Sequence, residues 1–457
     1  MELKVRRIYK FIKIVVLSID NYEIRYNDKY KGRKMNIKKI WNFLLAKKEL
    51  GYYVCSKIFD AFIAFYLNWL IVIKISKYDY GIYSILLTVL GFLTTFGFSW
   101  TSSSLLYYGV EEKIKYGTLN RTFWARNIIL GVTYVCIGVF FILFYNDLNE
   151  YITEPLSLYL FVWMTVRILT DYLSTYFLAI EKRMYSVLIN IISKILTVIL
   201  ITISTISLRH LLIYCILSEC CSLVLVCKVN NNDFGKFIFD KNIFKTVLSF
   251  GLWQMFGFSG LYIINFGDNL VIKHFLTLQD VGTYNIAYKM FAGIAGFAYL
   301  FTSYFAPKVS KAIKNEEIYN LKEIFYKDRI YMTILLFIPH IIVFIFAQKI
   351  IVLFFGQEYI GAVYPLRILI IESNLKYFFV FNILIFNCLK KYSIMQSFNI
   401  LQAILNIVLD ILLVPRFGIV GAAYGTILSF IISTGLETIY GEKYLRNFIK
   451  SCSKANI

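Results

Sequence analysis

The sequence predicts an all-α polytopic membrane protein. It reads as about twelve transmembrane helices in two six-helix bundles, related by a parallel (membrane-normal) pseudo-two-fold repeat. Three observations predict this: apolar runs of span length, a one-sided distribution of Lys and Arg, and a phrase written twice at a fixed offset. The 457 residues are 59% hydrophobic and 17% charged, with mean hydropathy +0.65. A soluble domain is nearer half apolar and about a quarter charged. The surplus is gathered in runs of about 20 residues, enough to cross about 30 Å of hydrocarbon at 1.5 Å per residue.

The expected spans are 51–75, 81–107, 123–145, 154–180, 184–206 and 210–228, then 247–273, 281–306, 330–348, 362–388, 392–414 and 418–439. KIIVLFF (349–355) is too short to span; it extends the ninth helix or lies at the interface. The organisation is a basic tail (1–48), a bundle (49–228), a linker (229–246), a second bundle (247–440) and a tail (441–457). Residues 1–34 are polar and basic with no folding pattern, so Met35 is the expected natural start. The rival reading is a basic amphipathic helix on the inner leaflet. KFIKIVVLSI lacks the apolar length and small-residue cleavage site of a signal peptide.

The net charge of +20 does not mark a nucleic-acid binder, because its distribution follows the spans. With the N-terminus inside, 35 of the 48 Lys and Arg fall in inner segments, six in outer loops and seven within spans. Such a bias places both termini in the cytoplasm, with anionic membrane lipids as neighbours. Eight cysteines form no C-x-x-C pair, and four of them sit together in the sixth span as small apolar residues. With only three histidines, no metal or other cofactor is expected.

The repeated phrase is D-Y-G-I-Y at Asp79–Tyr83 and D-V-G-T-Y at Asp280–Tyr284, 201 residues apart. Asn68 and Asn269 stand at the same offset. It maps span one onto seven and two onto eight. Six spans per half is an even number, so both halves enter the membrane in one orientation. Gly81 and Gly282 are expected to permit tight packing or an unusual backbone angle. Asp79 and Asp280 are expected to cap helix starts, and Tyr83 and Tyr284 to anchor at the interface.

Charges inside spans carry the functional reading. Lys57, Arg126, Arg167, Lys194, Lys289, Arg367 and Lys376 are basic; Asp60, Asp171, Glu219, Asp268, Glu372 and Asp410 are acidic. Each costs at least about 2.5 kcal/mol at mid-bilayer, so pairing, snorkelling or a wet cavity must offset them. At about 100° per residue, Lys57, Asp60 and Asn68 share a face of span one. Asn190, Lys194, Thr197 and Ser204 share a face of span five. Asn399, Gln402, Asn406 and Asp410 make a polar stripe on span eleven. Interhelical hydrogen bonds or a hydrated cavity between the bundles explain such stripes, and three in twin bundles favour the cavity. Arg167–Asp171 and Glu372–Lys376 have i,i+4 spacing and can pair. Lys57, Arg167, Lys194, Lys289, Arg367 and Lys376 are the candidate cavity cations. An anionic head such as a pyrophosphate binds Lys and Arg there, whereas an exporter of organic cations wants an acidic, aromatic pocket. Asp268 has Leu67 at its repeat-matched place, so it lies outside the repeat. Asp268 and Asp410 are the candidate residues for a coupling proton or sodium ion; the alternative for Asp268 is a partner for Lys273 or a cavity base.

D-x-G-x-Y in each half, FGQEYIGAVYPLRIL (355–369) and NIVLDILLVPRFGIVGAAYGTILS (406–429) together resemble the polysaccharide flippases of the multidrug/oligosaccharidyl-lipid/polysaccharide exporter superfamily, O-antigen and capsule (Wzx-type) branch. The resemblance covers the chain after Met35. It implies a flippase of the bacterial cytoplasmic (inner) membrane that moves a polyprenyl-pyrophosphate-linked oligosaccharide from inner to outer leaflet. It also implies a monomer working beside a polysaccharide polymerase and chain-length machinery. The alternative within the superfamily is a cation-coupled antiporter of drugs or small molecules. An enzyme is not expected, because the longest outer connection is about a dozen residues and no nucleophile–base arrangement occurs. No G-x-x-x-x-G-K-[ST] loop is present, so energy must come from ion gradients, membrane potential or downstream consumption. GIVGAA (418–423) is expected to permit close helix contact at a moving interface.

Overall fold

The computed structural model describes residues 48–455, apart from 205, 230–235, 297 and 390. The expected tail up to Ala46 and Lys47, and residues 230–235 of the expected linker, lie outside the described residues. The chain divides into two compact units, 1–61 and 62–457. Of the first, only the helical stretch from Lys48 is described. The second holds all the other helices and every contact discussed below.

Every described element is helical. In order they are α1 (Lys48–Lys74), α2 (Lys77–Tyr116), α3 (Asn120–Leu143), α4 (Tyr145–Ile152), α5 (Ser157–Ala179), α6 (Arg183–Ile203) and α7 (Leu208–Val229). The second half holds α8 (Lys241–Phe275), α9 (Leu278–Ala295), α10 (Ala298–Lys314), α11 (Ile318–Phe355), α12 (Val363–Cys388), α13 (Tyr392–Phe417) and α14 (Ile419–Ala455). Among the described residues nine helices are long and apolar enough to cross a membrane, or ten if α4 and α5, bent by 99°, make one span. The expected twelve passes are compatible with this, with α1 and the α9–α10 pair as the remaining two. The large core joins α1, α2, α5 and α7 of the first half to α8, α9, α11 and α12 of the second, around Tyr80, Ile82, Tyr284, Ile286 and Tyr359.

The two copies of the repeated phrase start α2 and α9, and they pack on each other. Ser76 caps α2 and Thr277 caps α9; each hydroxyl accepts from the amide three residues on. Asp79 and Asp280 reach back from that third position, so they complete the caps rather than being the cap residues themselves. A Cβ at Gly81 would lie 1.9 Å from the Leu278 carbonyl oxygen, and one at Gly282 would lie 3.1 Å from the Lys77 carbonyl oxygen. Lys77 and Leu278 are themselves 201 residues apart. The repeat therefore exists as a reciprocal glycine-on-carbonyl contact, and close approach is what the glycines permit. Tyr83 and Tyr284 are buried, at 6% and 1% exposure. They belong to the packed interior and not to an aromatic belt.

Candidate functional site

The α13–α14 corner is built by glycines with separate tasks. Gly418 takes φ +61 and reverses the chain between the helices. Gly421 brings α14 within 2.3 Å, measured from a built Cβ, of the Leu413 carbonyl oxygen. A Cβ on Gly425 would lie 2.0 Å from Asp410 Oδ1, so the missing side chain is the seat of that carboxylate. The small-residue run thus packs α14 on α13, within the second half.

Asp410 is fully buried, and so are Asp268 (1% exposed) of α8, Asn406 of α13, Thr426 of α14 and Glu372 of α12. Thr426 Oγ1 donates to Asp268 Oδ2 at 2.8 Å. The Tyr284 hydroxyl, from α9, donates to the same oxygen in a close contact. Asn406 Nδ2 donates to Asp410 Oδ2 at 3.5 Å. The Asp268 and Asp410 carboxyls lie within hydrogen-bonding reach of each other. Among the described residues no donor meets Oδ1 of Asp268, Asp410 or Asn406. Two neighbouring carboxyl groups shut away from water cannot both stay charged without a cation, and otherwise hold protons. Apart from the Asn406 amide nitrogen the surrounding side-chain atoms are hard oxygens, suited to a proton or a small hard cation and unsuited to a soft metal. Lys273 is not the partner of Asp268; it lies 3.4 Å from the centre of the Tyr151 ring.

A second set of contacts ties the two halves together near the same end. Asn269, next to Asp268, donates to Thr88 Oγ1 at 3.0 Å, and Tyr262 donates to the Thr88 carbonyl at 2.9 Å. Lys289 donates to Asn68 Oδ1 at 2.5 Å and to the Tyr80 hydroxyl at 3.3 Å. Trp69 donates to the Phe354 carbonyl at 2.7 Å and Lys77 to the Glu358 carbonyl at 2.9 Å.

The remaining expected site residues are distributed as follows. Arg167 pairs with Glu219 of α7 at 3.0 Å and more distantly with Asp171 at 4.0 Å. Trp163 also donates to Glu219, at 3.2 Å. Lys376 pairs with Glu372 at 2.9 Å and lies over Phe291 at 4.5 Å. Arg367 donates to the Phe344 carbonyl at 3.2 Å, away from the carboxylates. Lys194 and Asn190 are half-buried on α6; Asn190 donates to the Ser186 carbonyl at 3.3 Å. Asn399 donates to Gln396, and Gln402 is buried further along the same helix. The side chain of Lys57 lies outside the described residues. Tyr284, Thr426, Tyr80 and Thr88 were missing from the expected set. Hydroxyl residues carry no signal of their own inside an apolar run.

A family model described as "Polysaccharide biosynthesis protein" matches residues 46–305, more than half the chain. The chain belongs to the polysaccharide biosynthesis protein family. It is 27% identical over 197 residues to the "Probable low-salt glycan biosynthesis flippase Agl15" of Haloferax volcanii, a match covering 43% of this chain and 42% of that one. The chain thus matches about two fifths of that relative's length. Among solved structures it resembles the lipid II flippase MurJ in an inward closed conformation, with TM-score 0.70, 13% identity and coverage of 88% of this chain and 90% of that one. It also resembles an inward-facing multidrug-resistance MATE transporter, with TM-score 0.68, 14% identity and coverage of 84% and 95%. The family member is therefore a multi-pass membrane protein with the fold of the MurJ and MATE transporters. The three proteins named here are described as a probable flippase, a flippase and a transporter.

Proposed function

We propose that this protein flips a polyprenyl-pyrophosphate-linked oligosaccharide from the inner to the outer leaflet of the cytoplasmic membrane, by alternating access, for a surface polysaccharide of the O-antigen or capsule kind. The observation that carries the coupling part is the buried Asp268–Asp410 pair. Its counter-charge is the coupling cation, sodium or a proton, which Asp268, Asp410, Asn406 and Thr426 hold through oxygen. Asp268 and Asn269 are neighbours on α8, one turned to this site and the other to Thr88 of the first half. A change in cation occupancy therefore acts on the same helical turn that ties the halves together. Both termini lie in the cytoplasm on this reading, so the tied end faces outward. Outward passage of an anion down an inside-negative potential adds about 2.3 kcal/mol per charge per 100 mV.

Deletion of the gene in its host tests the activity. Complete lipid-linked repeat units should accumulate on the inner leaflet while surface glycan is lost. Unchanged surface glycan together with new sensitivity to cationic drugs would replace this reading with the antiporter.

A further inference from the structure

We infer that Lys289 is an anion-operated latch: the pyrophosphate of the substrate draws it from Asn68 and Tyr80 and so opens the outer gate. This rests on the flippase reading above and adds what triggers opening.

Charge balance separates Lys289 from Arg167 and Lys376; Arg126 and Arg367 also meet neutral acceptors, but each does so within its own half. Arg167 faces two carboxylates, Glu219 and Asp171, and Lys376 faces Glu372. Lys289 is met by neutral groups: the Asn68 amide oxygen, the Tyr80 hydroxyl, and the rings of Tyr80 at 5.3 Å and Tyr83 at 6.0 Å. Among the described residues no carboxylate pairs with it. A cation held by neutral acceptors exchanges them readily for a phosphate oxygen, because an ion–ion hydrogen bond is the stronger one. Lys289 is partly buried, whereas the Glu372 that faces Lys376 is fully buried. Lys289 stands 11 residues into α9, about 16 Å below the gate surface at 1.5 Å per residue. A head group arriving from the opposite end meets it before Lys77, which is the first residue of α2.

The repeat supplies an internal control. Lys289 and Thr88 are 201 residues apart, and so are their partners Asn68 and Asn269. The two contacts, Asn68 with Lys289 and Asn269 with Thr88, are thus the same tie made twice across the halves. In one copy a neutral threonine suffices. Holding the halves together does not require a charge at this position, and the charge is what an anionic substrate can act on. The neighbouring ties Trp69–Phe354 and Lys77–Glu358 end on backbone carbonyls.

The test is hydrogen–deuterium exchange of the full chain in lipid nanodiscs, read at 76–83 and 277–284. Farnesyl pyrophosphate, farnesol and inorganic pyrophosphate are the probes, with binding of each measured separately by native mass spectrometry. In the unaltered protein farnesyl pyrophosphate should raise exchange at both segments several-fold, and farnesol should not. A rise with inorganic pyrophosphate as well would show that the head group alone operates the latch. Asn68→Leu should show raised exchange without any probe, and Lys289→Gln, which keeps a neutral donor, should stay closed and show no response to the probes. Asn68→Leu keeps the lysine, so it stands in if Lys289→Gln does not fold. Binding of farnesyl pyrophosphate without a change in exchange would overturn the latch and leave the flippase reading standing. Absence of binding would overturn both. Asn68→Leu that matches the unaltered protein before probe addition, or Lys289→Gln that still responds to farnesyl pyrophosphate, would also overturn the latch.

Discussion

The contact between the two repeated phrases makes unequal predictions for two equivalent residues. In Gly81→Ala the new methyl would sit 1.9 Å from the Leu278 carbonyl oxygen and 2.6 Å from its carbon. Ordinary contact begins near 3.4 Å, so α2 and α9 must separate by about 1.5 Å, and backbone cannot swing aside as a side chain can. Overpacking of this kind costs about 1–3 kcal/mol. The ratio of closed to open outer gate should fall by about 5- to 150-fold, at about 1.4 kcal/mol per factor of ten. In Gly282→Ala the nearest atom is 3.1 Å away. A shift of a few tenths of an ångström relieves it, and the cost should stay at about 1 kcal/mol or less. The assay uses Thr88→Cys, a position 2% exposed and gripped across the halves by Asn269 and Tyr262. A membrane-impermeant thiol reagent reaches it only when the halves part, and peptide mass spectrometry reads that site apart from the native cysteines. Adding Gly81→Ala should accelerate labelling strongly, and adding Gly282→Ala should do so weakly. Equal rates, or a faster rate with Gly282→Ala, would refute the claim that this contact closes the gate.

Other consequences arise from the carboxylate site and the first-half ion pair. Thr426→Val deletes the 2.8 Å donor to Asp268 without changing shape. At about 1.5–3 kcal/mol for a hydrogen bond to a charged group, half-saturating sodium or proton concentration for flipping in proteoliposomes should shift by about 10- to 100-fold, with the rate at saturation retained. An unchanged ion titration removes Thr426 from the site. Gly425→Ala displaces Asp410 Oδ1, which a Cβ would meet at 2.0 Å; flipping should fall to the level of Asp410→Asn, and normal flipping would contradict the seating. Asp268→Asn should abolish the ion dependence, and transport with unaltered dependence would end the coupling role of that residue. Glu219→Gln leaves Arg167 with Asp171 alone at 4.0 Å. Because the Arg167 side chain is 42% exposed, the loss should be about 1–2 kcal/mol of stability rather than the full cost of breaking a buried pair, checked by thermal unfolding in detergent.

Helices and their pairing were legible in the sequence for different reasons. Span length needs only the rise per residue and the thickness of hydrocarbon, so α3, α6, α7 and α13 were visible as apolar runs. The 201-residue offset marked the two glycines, and the structure adds what each packs on, Gly81 on Leu278 and Gly282 on Lys77. Asp268 and Asp410 were legible as charges whose cost needed offsetting. Their meeting was not, because 142 residues separate them and helical periodicity relates residues only along one helix. Arg167 shows the same limit: the i,i+4 pair with Asp171 forms, at 4.0 Å, but a second partner could not be read from spacing. That closer partner came from α7, as Glu219.

The tyrosines mark where composition-based rules mislead. Tyr83 and Tyr284 share sequence context, depth and offset, and an interface anchor was the simplest reading of both. Buried instead, they diverge by what faces them. Tyr284 has Asp268 and Thr426, whereas Tyr83 has the Trp163 ring at 6.2 Å and the Lys289 ammonium beyond it. The divergence traces to one pair of positions, Asp268 in the second half and Leu67 in the first. A carboxylate beside the tyrosine attracts hydroxyl donors and a cation; a leucine there leaves the ring to pack on aromatics. The mirror-image exchange is Thr88 for Lys289, which puts the positive charge on the tie whose own helix lacks the carboxylate. Two substitutions at repeat-matched positions thus make two matched helix contacts unlike, one with a buried carboxylate beside the tyrosine and one with a lysine at the tie, and the proposed coupling of a cation to an anionic cargo rests on that difference.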